Sequence, residues 1–207
     1  MKEMFRKSIK WSLTIAVITF VLAALFSIAS NAILNGVSWI TGMFVVLVIV
    51  IIGIVFDMLG IASTAADEAP FHSMAANKVY GARHSVKIIR NADKFASFCN
   101  DVIGDISGII SGTASAIVIL QLTANFQANR STLLEYVISV IFTSFVAALT
   151  VGGKALGKTF AIRHSTNIII QAGKFFQFLE EKFHIVIIKE NKSGKKSKRK
   201  RNRNESE

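Results

Sequence analysis

Apolar residues run almost unbroken through two long stretches: 11–34, interrupted only by small polar residues, and 39–64, where Asp57 is the sole charge. Each exceeds the roughly 20 residues of helix that cross a hydrocarbon core. Two further runs, 102–124 and the shorter 136–151, show the same pattern. Together they predict an all-α, polytopic integral membrane protein with four transmembrane helices. Lys2, Arg6, Lys7 and Lys10 precede the first run, and the small residues Ala29 and Ser30 close it, which is the layout of a signal peptide. The run outlasts the roughly 7–15 apolar residues of such a peptide, so a retained helix is expected.

The intervals between the runs are uneven. Residues 65–99 form one excursion, in which Asp67, Glu68 and Pro70 suit a helix N-terminus, while Gly81 and Asn91 divide the rest of the excursion into short helices. Its mixture of apolar and basic positions predicts a helical hairpin lying along the membrane surface. After the fourth run, 160–188 is rich in Phe and Ile with interspersed charges. That composition fits either an interfacial amphipathic helix or a helix packed on the hairpin. Beyond Ile188 almost no apolar residue remains, and 189–207 reads as a disordered basic tail. The expected organisation is an N-terminal transmembrane helix in 1–35, a transmembrane domain with juxtamembrane helices in 36–188, and the tail.

The net charge of +11 sharpens this picture because its distribution is one-sided. Of the 24 Lys and Arg, 4 precede the first run, 5 lie between the second and third, and 14 come after the fourth, which leaves only Arg130 for the loop between the third and fourth. Lysine and arginine in short loops are retained in the cytoplasm. A multi-pass protein of the cell membrane with both termini cytoplasmic is therefore expected. Nine basic residues crowd into 189–203. Held beneath the bilayer, they should meet anionic lipid headgroups, and no nucleic-acid partner is expected for a tail tethered there.

Ionisable residues inside a span are costly and usually face a protein interior or an aqueous cavity. Asp57 in the second run, and Asp101 and Asp105 on one face of the third, are such residues. Hard cations such as magnesium prefer carboxylate, carbonyl and water oxygens, so converging acids could hold one. A structural role is the alternative: Asp101 capping the third helix at the headgroups, and Asp57 bonded to a hydroxyl or a lysine. Gly104, Gly108 and Gly112 repeat at four-residue spacing beside Ser107, Ser111 and Ser115. This pattern predicts close helix approach, with hydroxyls bonding across the contact, and makes the third helix central to the bundle, with Asp105 near its densest contact; a transporter would work as a homodimer through this helix. The single Cys99 has no partner for an intramolecular disulfide and reads as a packing residue. His72, His84, His164 and His184 lack metal-ligand spacing, and no phosphate-binding glycine loop comes after a strand, so no enzyme is expected.

Three segments together resemble the transmembrane domain of the cyclin M / CorB family, whose members are associated with magnesium transport. Ala65-Ala66-Asp67-Glu68-Ala69-Pro70-Phe71 comes directly after a span, where the family carries a Ser-Glu-Thr-Ala-like turn. The run GARHSVKIIRNADKF at 81–95 is similar to the family's Gly-Ala, Lys, Leu-Leu, Asn-Pro-Glu-Arg-Phe run. Gly153-Lys154-Ala155-Leu156-Gly157-Lys158 stands where the family reads Gly-Glu-x-x-Pro-Lys at the end of its last span. The resemblance implies magnesium as the transported or bound ion. It also implies that Lys154 replaces a glutamate of the family's ion site, reversing its charge, so that a cation there needs compensation from Asp57, Asp67 or Asp105. Gly104-Asp105 corresponds to the family's Gly-Asn. The first span is an addition to the family's three, and no regulatory nucleotide-binding domain is expected.

Two functions are expected on these grounds. One is a divalent-cation (magnesium) transporter or transport-associated subunit, favoured by the acids. The other is a non-transporting membrane scaffold or regulator that binds lipid or a protein partner through its cytoplasmic helices and basic tail, favoured by Lys154.

Overall fold

The computed structural model describes residues 2–34, 36–125 and 132–183, and all regular structure among them is helical. In chain order the elements are α1 (Lys2–Leu34), α2 (Trp39–Ala65), α3 (Glu68–Ala76), α4 (Ala82–Arg90), α5 (Ala92–Ser97), a π-helical segment (Phe98–Gly104), α6 (Asp105–Asn125), α7 (Thr132–Arg163) and α8 (Ser165–Phe183). Four stretches are long and apolar enough to cross a bilayer: Trp11–Leu34, Trp39–Ala65, Ala92–Leu122 and Tyr136–Arg163. The chain is an all-α, multi-pass membrane protein. Its polybasic segment at 189–203 lies outside the described residues.

Two boundaries differ from the sequence expectation. The last span is not short, because α7 runs through Gly152 and Gly153 to Arg163. Gly153 lies directly against the Ile54 side chain and Gly157 against Met58, so these glycines permit contact with α2 instead of ending the helix. The third span begins early, since α5, the π segment and α6 succeed one another without a break. Asp101 therefore caps nothing; it is exposed within the π segment, which has no side-chain capping bond.

Helix α2 is apolar on every side, as suits a helix at the centre of a bundle. It packs against α6 and α7 in the membrane and reaches α5, the π segment and α8 below. Val46 and Val50 of α2 are buried with Ala114 and Val118 of α6 and Val146 of α7. Along the antiparallel α2–α6 seam, three α2 glycines each receive a side chain: Val118 at Gly42, Ser107 at Gly53 and Asn100 at Gly60. Helix α1 lies outside, setting Ile15, Leu22 and Ala23 against Val102, Ile106 and Ile110. Near its start, Lys94 Nζ sits 5.3 Å from the centre of the Trp11 ring, a cation–π contact.

At the C-terminal ends of α2 and α7 a second, juxtamembrane core forms from Ala62, Phe71, Val86, Ile88, Ala161, Ile169 and Ala172. The apolar face of α4 is thus buried in protein, Val86 and Ile88 packing with Ala161, Ile169 and Ala172. Within 165–183, helix α8 packs on the hairpin through Ile169 and Ala172. Gly81, at φ +85, makes the turn into α4 and its N–H donates to Gln177 Oε1 at 2.6 Å. Gly173 lies against the Gly81 carbonyl and Ser85, and the Ser85 hydroxyl donates to the Ile169 carbonyl at 3.0 Å. Polar pairs extend the contact, with His84 Nε2 on Glu180 and the Tyr80 hydroxyl donating to Glu181 at 3.1 Å.

This layer carries a pH dependence whose sign is defined. The hydrogen bond from His84 holds the Glu180 carboxyl below the usual carboxylate range, and Arg90, then His72, do the same for Glu68. A carboxyl depressed by folding adds stability above its unfolded pKa and loses it as pH falls through the folded one. Acidification below the ordinary carboxylate range should therefore loosen α8 from α4, read as faster amide exchange in 165–183. Glu180→Gln should already exchange faster at neutral pH and respond less to acid.

Candidate ion site at the membrane edge

Three charged side chains from three helices meet where α2, α6 and α7 pack together. Lys154 Nζ lies 3.8 Å from Asp57 Oδ1 and 3.8 Å from Asp105 Oδ1. Asp57 and Lys154 are largely enclosed, with side chains 16% and 26% exposed, whereas Asp105 is 66% exposed. At this separation the contacts are ion pairs without hydrogen bonds, so the carboxylate oxygens keep free acceptor capacity. Gly104 lies beside the pair. A Cβ there would stand 3.6 Å from Lys154 Nζ and 3.7 Å from Asp57 Oδ1, in the space between the helices.

Depth is set by helix rise. At 1.5 Å per residue, Asp57 lies about 27 Å along α2 from Trp39, Lys154 about 27 Å along α7 from Tyr136, and Asp105 about 26 Å along α6 from Leu122. All three distances approach the roughly 30 Å thickness of a hydrocarbon core. The cluster therefore sits at one edge of the apolar layer, on the side of the juxtamembrane helices. The aliphatic stem of Lys154 can rest in the apolar zone while its ammonium reaches the acids.

One turn closer to the juxtamembrane layer, Asn100 rests against Gly60. Its Oδ1 is fully buried and has no hydrogen-bond partner among the described residues. Asn100 belongs to the π segment, which ends at Gly104 beside Asp57 and Lys154. Segments of π helix inside longer helices occur frequently at functional sites.

The other residues singled out from sequence fall elsewhere. Asp67 is the exposed residue preceding α3 and takes no part in the Lys154 ion pairs, so the acids proposed as ligands do not all converge. Among the described residues no group of three or more His, Cys, Asp or Glu could hold a metal. Gly153 serves the α7–α2 contact, and Lys158 is exposed. Ser107, Ser111 and Ser115 are buried, but their hydroxyls bond to carbonyls of their own helical run, Ile103, Gly108 and Ser111, instead of bridging to a neighbour. A serine hydroxyl reaches the carbonyl one turn back without any partner helix. Gly108 and Gly112 have nothing within 4 Å, so within the chain they form no seam. Asn100, Gly53 and Gly60 went unnoticed in the sequence. The available signal was the seven-residue spacing of the two glycines in an otherwise large-residue apolar run.

No family model, curated protein or solved structure matches the chain. The likeness to the cyclin M / CorB transmembrane domain rests on its three sequence segments.

Proposed function

We propose that the protein is a cation transporter or transport-associated subunit, with Asp57 and Asp105 forming part of an ion path at the membrane edge. The observation that supports this reading is the convergence of two carboxylates, from separate helices, on one ammonium. A structural role needs a single acid to neutralise Lys154; the second, the exposed Asp105, leaves the cluster with excess negative charge at the membrane edge, where it can attract a cation. Magnesium is the ion that the family resemblance implies. A homodimer through α6 belongs to the same reading, supported by the face that Gly108 and Gly112 leave open.

The test is ion uptake by vesicles containing the purified full chain, measured for sodium, potassium, magnesium and manganese. Uptake of at least one ion is expected, with Asp57→Asn and Asp105→Asn each lowering it about tenfold, as loss of roughly 1.4 kcal/mol of ion stabilisation implies. Uptake unaffected by both changes would remove the carboxylates from the path.

One observation favours the scaffold reading as a second account. A cleft of about 1140 Å³ between α3, α4 and α8 is lined by Arg83, His84, Lys87, Arg90, Gln177 and Glu180, among others. It becomes the better account if no ion moves while Arg83→Glu reduces binding to vesicles that contain anionic lipid.

A further inference from the structure

We infer that the outer face of α8 is a membrane anchor, laid on the adjacent leaflet through Phe175 and Phe178 and drawn to anionic headgroups by Lys174 and Lys182. The inference stands whether or not an ion moves through the bundle.

The chain contains an internal repeat. The pattern Arg-His-Ser-x-x-Ile-Ile-x-x-Ala-x-Lys-Phe-x-x-Phe occupies 83–98 and occurs again at 163–178. In both copies the isoleucines serve the juxtamembrane core, with Ile88 and Ile169 fully buried and Ile89 and Ile168 packed beside them. In the first copy, Lys94, Phe95 and Phe98 stand at the start of the third span, and Lys94 lies over Trp11 where the first span begins. Tryptophan beside a basic residue is the chemistry of the membrane–water interface. The second copy sets Lys174, Phe175 and Phe178 on α8. There the rings are not taken into the core: Phe95 packs edge-on to Phe176, whereas Phe175 and Phe178 are 60% and 50% exposed.

Position supplies the occupant of this face. Only His164 separates α8 from α7, and Ile169 and Ala172 of α8 share a core with Ala62 of α2. Ala62 is five residues beyond Asp57, about 7.5 Å at the rise of an α-helix, and Asp57 stands at the edge of the apolar layer. That depth falls in the headgroup region, which adds about 5–8 Å to each side of the hydrocarbon core. Interfacial helices bury their apolar side chains at this level. An exposed apolar surface also leads there from the fourth span, through Leu156, Phe160 and Ile162 beyond Lys154.

The face has the required register and charge. Gln171, Lys174, Phe175, Phe178 and Lys182 are exposed along one side of α8, opposite the buried Ile169 and Ala172. Lys182 Nζ lies 5.5 Å from the centre of the Phe178 ring. The rings can thus enter the acyl boundary while the long lysine side chains keep their ammonium groups at the phosphates.

The experiment uses the full chain in vesicles, with a nitroxide label on one introduced cysteine; the native Cys99 is buried. Labels at Phe175→Cys and Phe178→Cys should be relaxed more by oxygen, which partitions into lipid, than by a water-soluble nickel chelate. Arg83→Cys, in the polar cleft, should show the reverse. Amide exchange across 165–183 should be slower in vesicles containing anionic lipid than in neutral ones, by about fivefold for each lysine near the surface. The double variant Lys174→Gln/Lys182→Gln should lose that difference while keeping the basic residues of 189–203, and it carries the test if the cysteine variants do not fold. Phenylalanine-site labels relaxed by nickel as strongly as Arg83→Cys would overturn the anchor. Labels shielded from both reagents would overturn it as well, by placing protein, a second copy included, on the face. Exchange indifferent to lipid charge would overturn the part assigned to the lysines.

Discussion

Gly53→Leu should prevent the bundle from assembling, whereas Gly108→Leu should leave the fold of the chain intact. At Gly53 an added Cβ would stand 2.9 Å from Ser107 Cβ, an atom fixed to the α6 backbone, so the two helices must separate to admit any side chain. Separation there also disturbs Val50 above and Asp57 below, on the faces turned to α6 and α7. Overpacking a tight core costs about 1–3 kcal/mol, and a leucine at a helix crossing belongs at or beyond the upper end of that range. Native stability is only on the order of 5–15 kcal/mol. Loss of a monodisperse, cooperatively melting species in detergent is the expected result for Gly53→Leu. Gly108 has nothing within 4 Å, so its leucine variant should melt like the wild type. A changed oligomeric state in Gly108→Leu with an unchanged melt would locate a dimer contact on that face. Equal tolerance of both substitutions would contradict the α2–α6 seam.

The contrast between these glycines marks how far the sequence could be read. The spans were legible because the hydrocarbon core imposes a one-dimensional requirement of length and apolarity that any 20-residue window reports. Helical spacing also identified a seam on the third span, and its serines, Ser107, Ser111 and Ser115, are buried. The glycines one residue away are a different matter. The close approach is made by Gly42, Gly53 and Gly60 of the partner helix, and only three-dimensional pairing shows which of two helices supplies the recess. The same limit hid Asn100, whose importance comes from Gly60, far back along the chain. Lys154 was recognised as a reversed charge, but its partners were not distinguishable among Asp57, Asp67 and Asp105. Asp67 comes soon after Asp57 along the chain, yet α2 ends between them and the chain turns away. The fate of α4 was also illegible: its strongly amphipathic pattern is equally suited to a membrane surface and to a protein core, and α8 supplies the core.

Cysteine introduced at Lys78 should be unreactive toward an impermeant thiol reagent in intact cells, whereas cysteine at Gly36 should react. Four spans alternate in direction, so the start of the first and the end of the fourth lie on one side together with the connection between the second and third spans. The Trp11–Lys94 cation–π contact fits, since it joins the start of the first span to the start of the third. Of the 24 Lys and Arg, 19 stand in sequence before the first span, between the second and third or after the fourth, four (Lys94, Lys154, Lys158 and Arg163) lie within the span ends next to those segments, and only Arg130 stands between the third and fourth. Basic residues in short loops resist translocation, so this side should be the cytoplasm. Both test positions are suited to labelling: Lys78 is exposed in the α3–α4 turn, and Gly36 has open space around it. The native Cys99 is 1% exposed and should contribute little background. The expected outcome is close to all or none, with Lys78→Cys labelled only after the membrane is permeabilised. Labelling of Lys78→Cys in intact cells, with Gly36→Cys silent, would invert the protein and place the Asp57–Lys154–Asp105 cluster at the outer edge of the bilayer, where the ion path would open to the exterior.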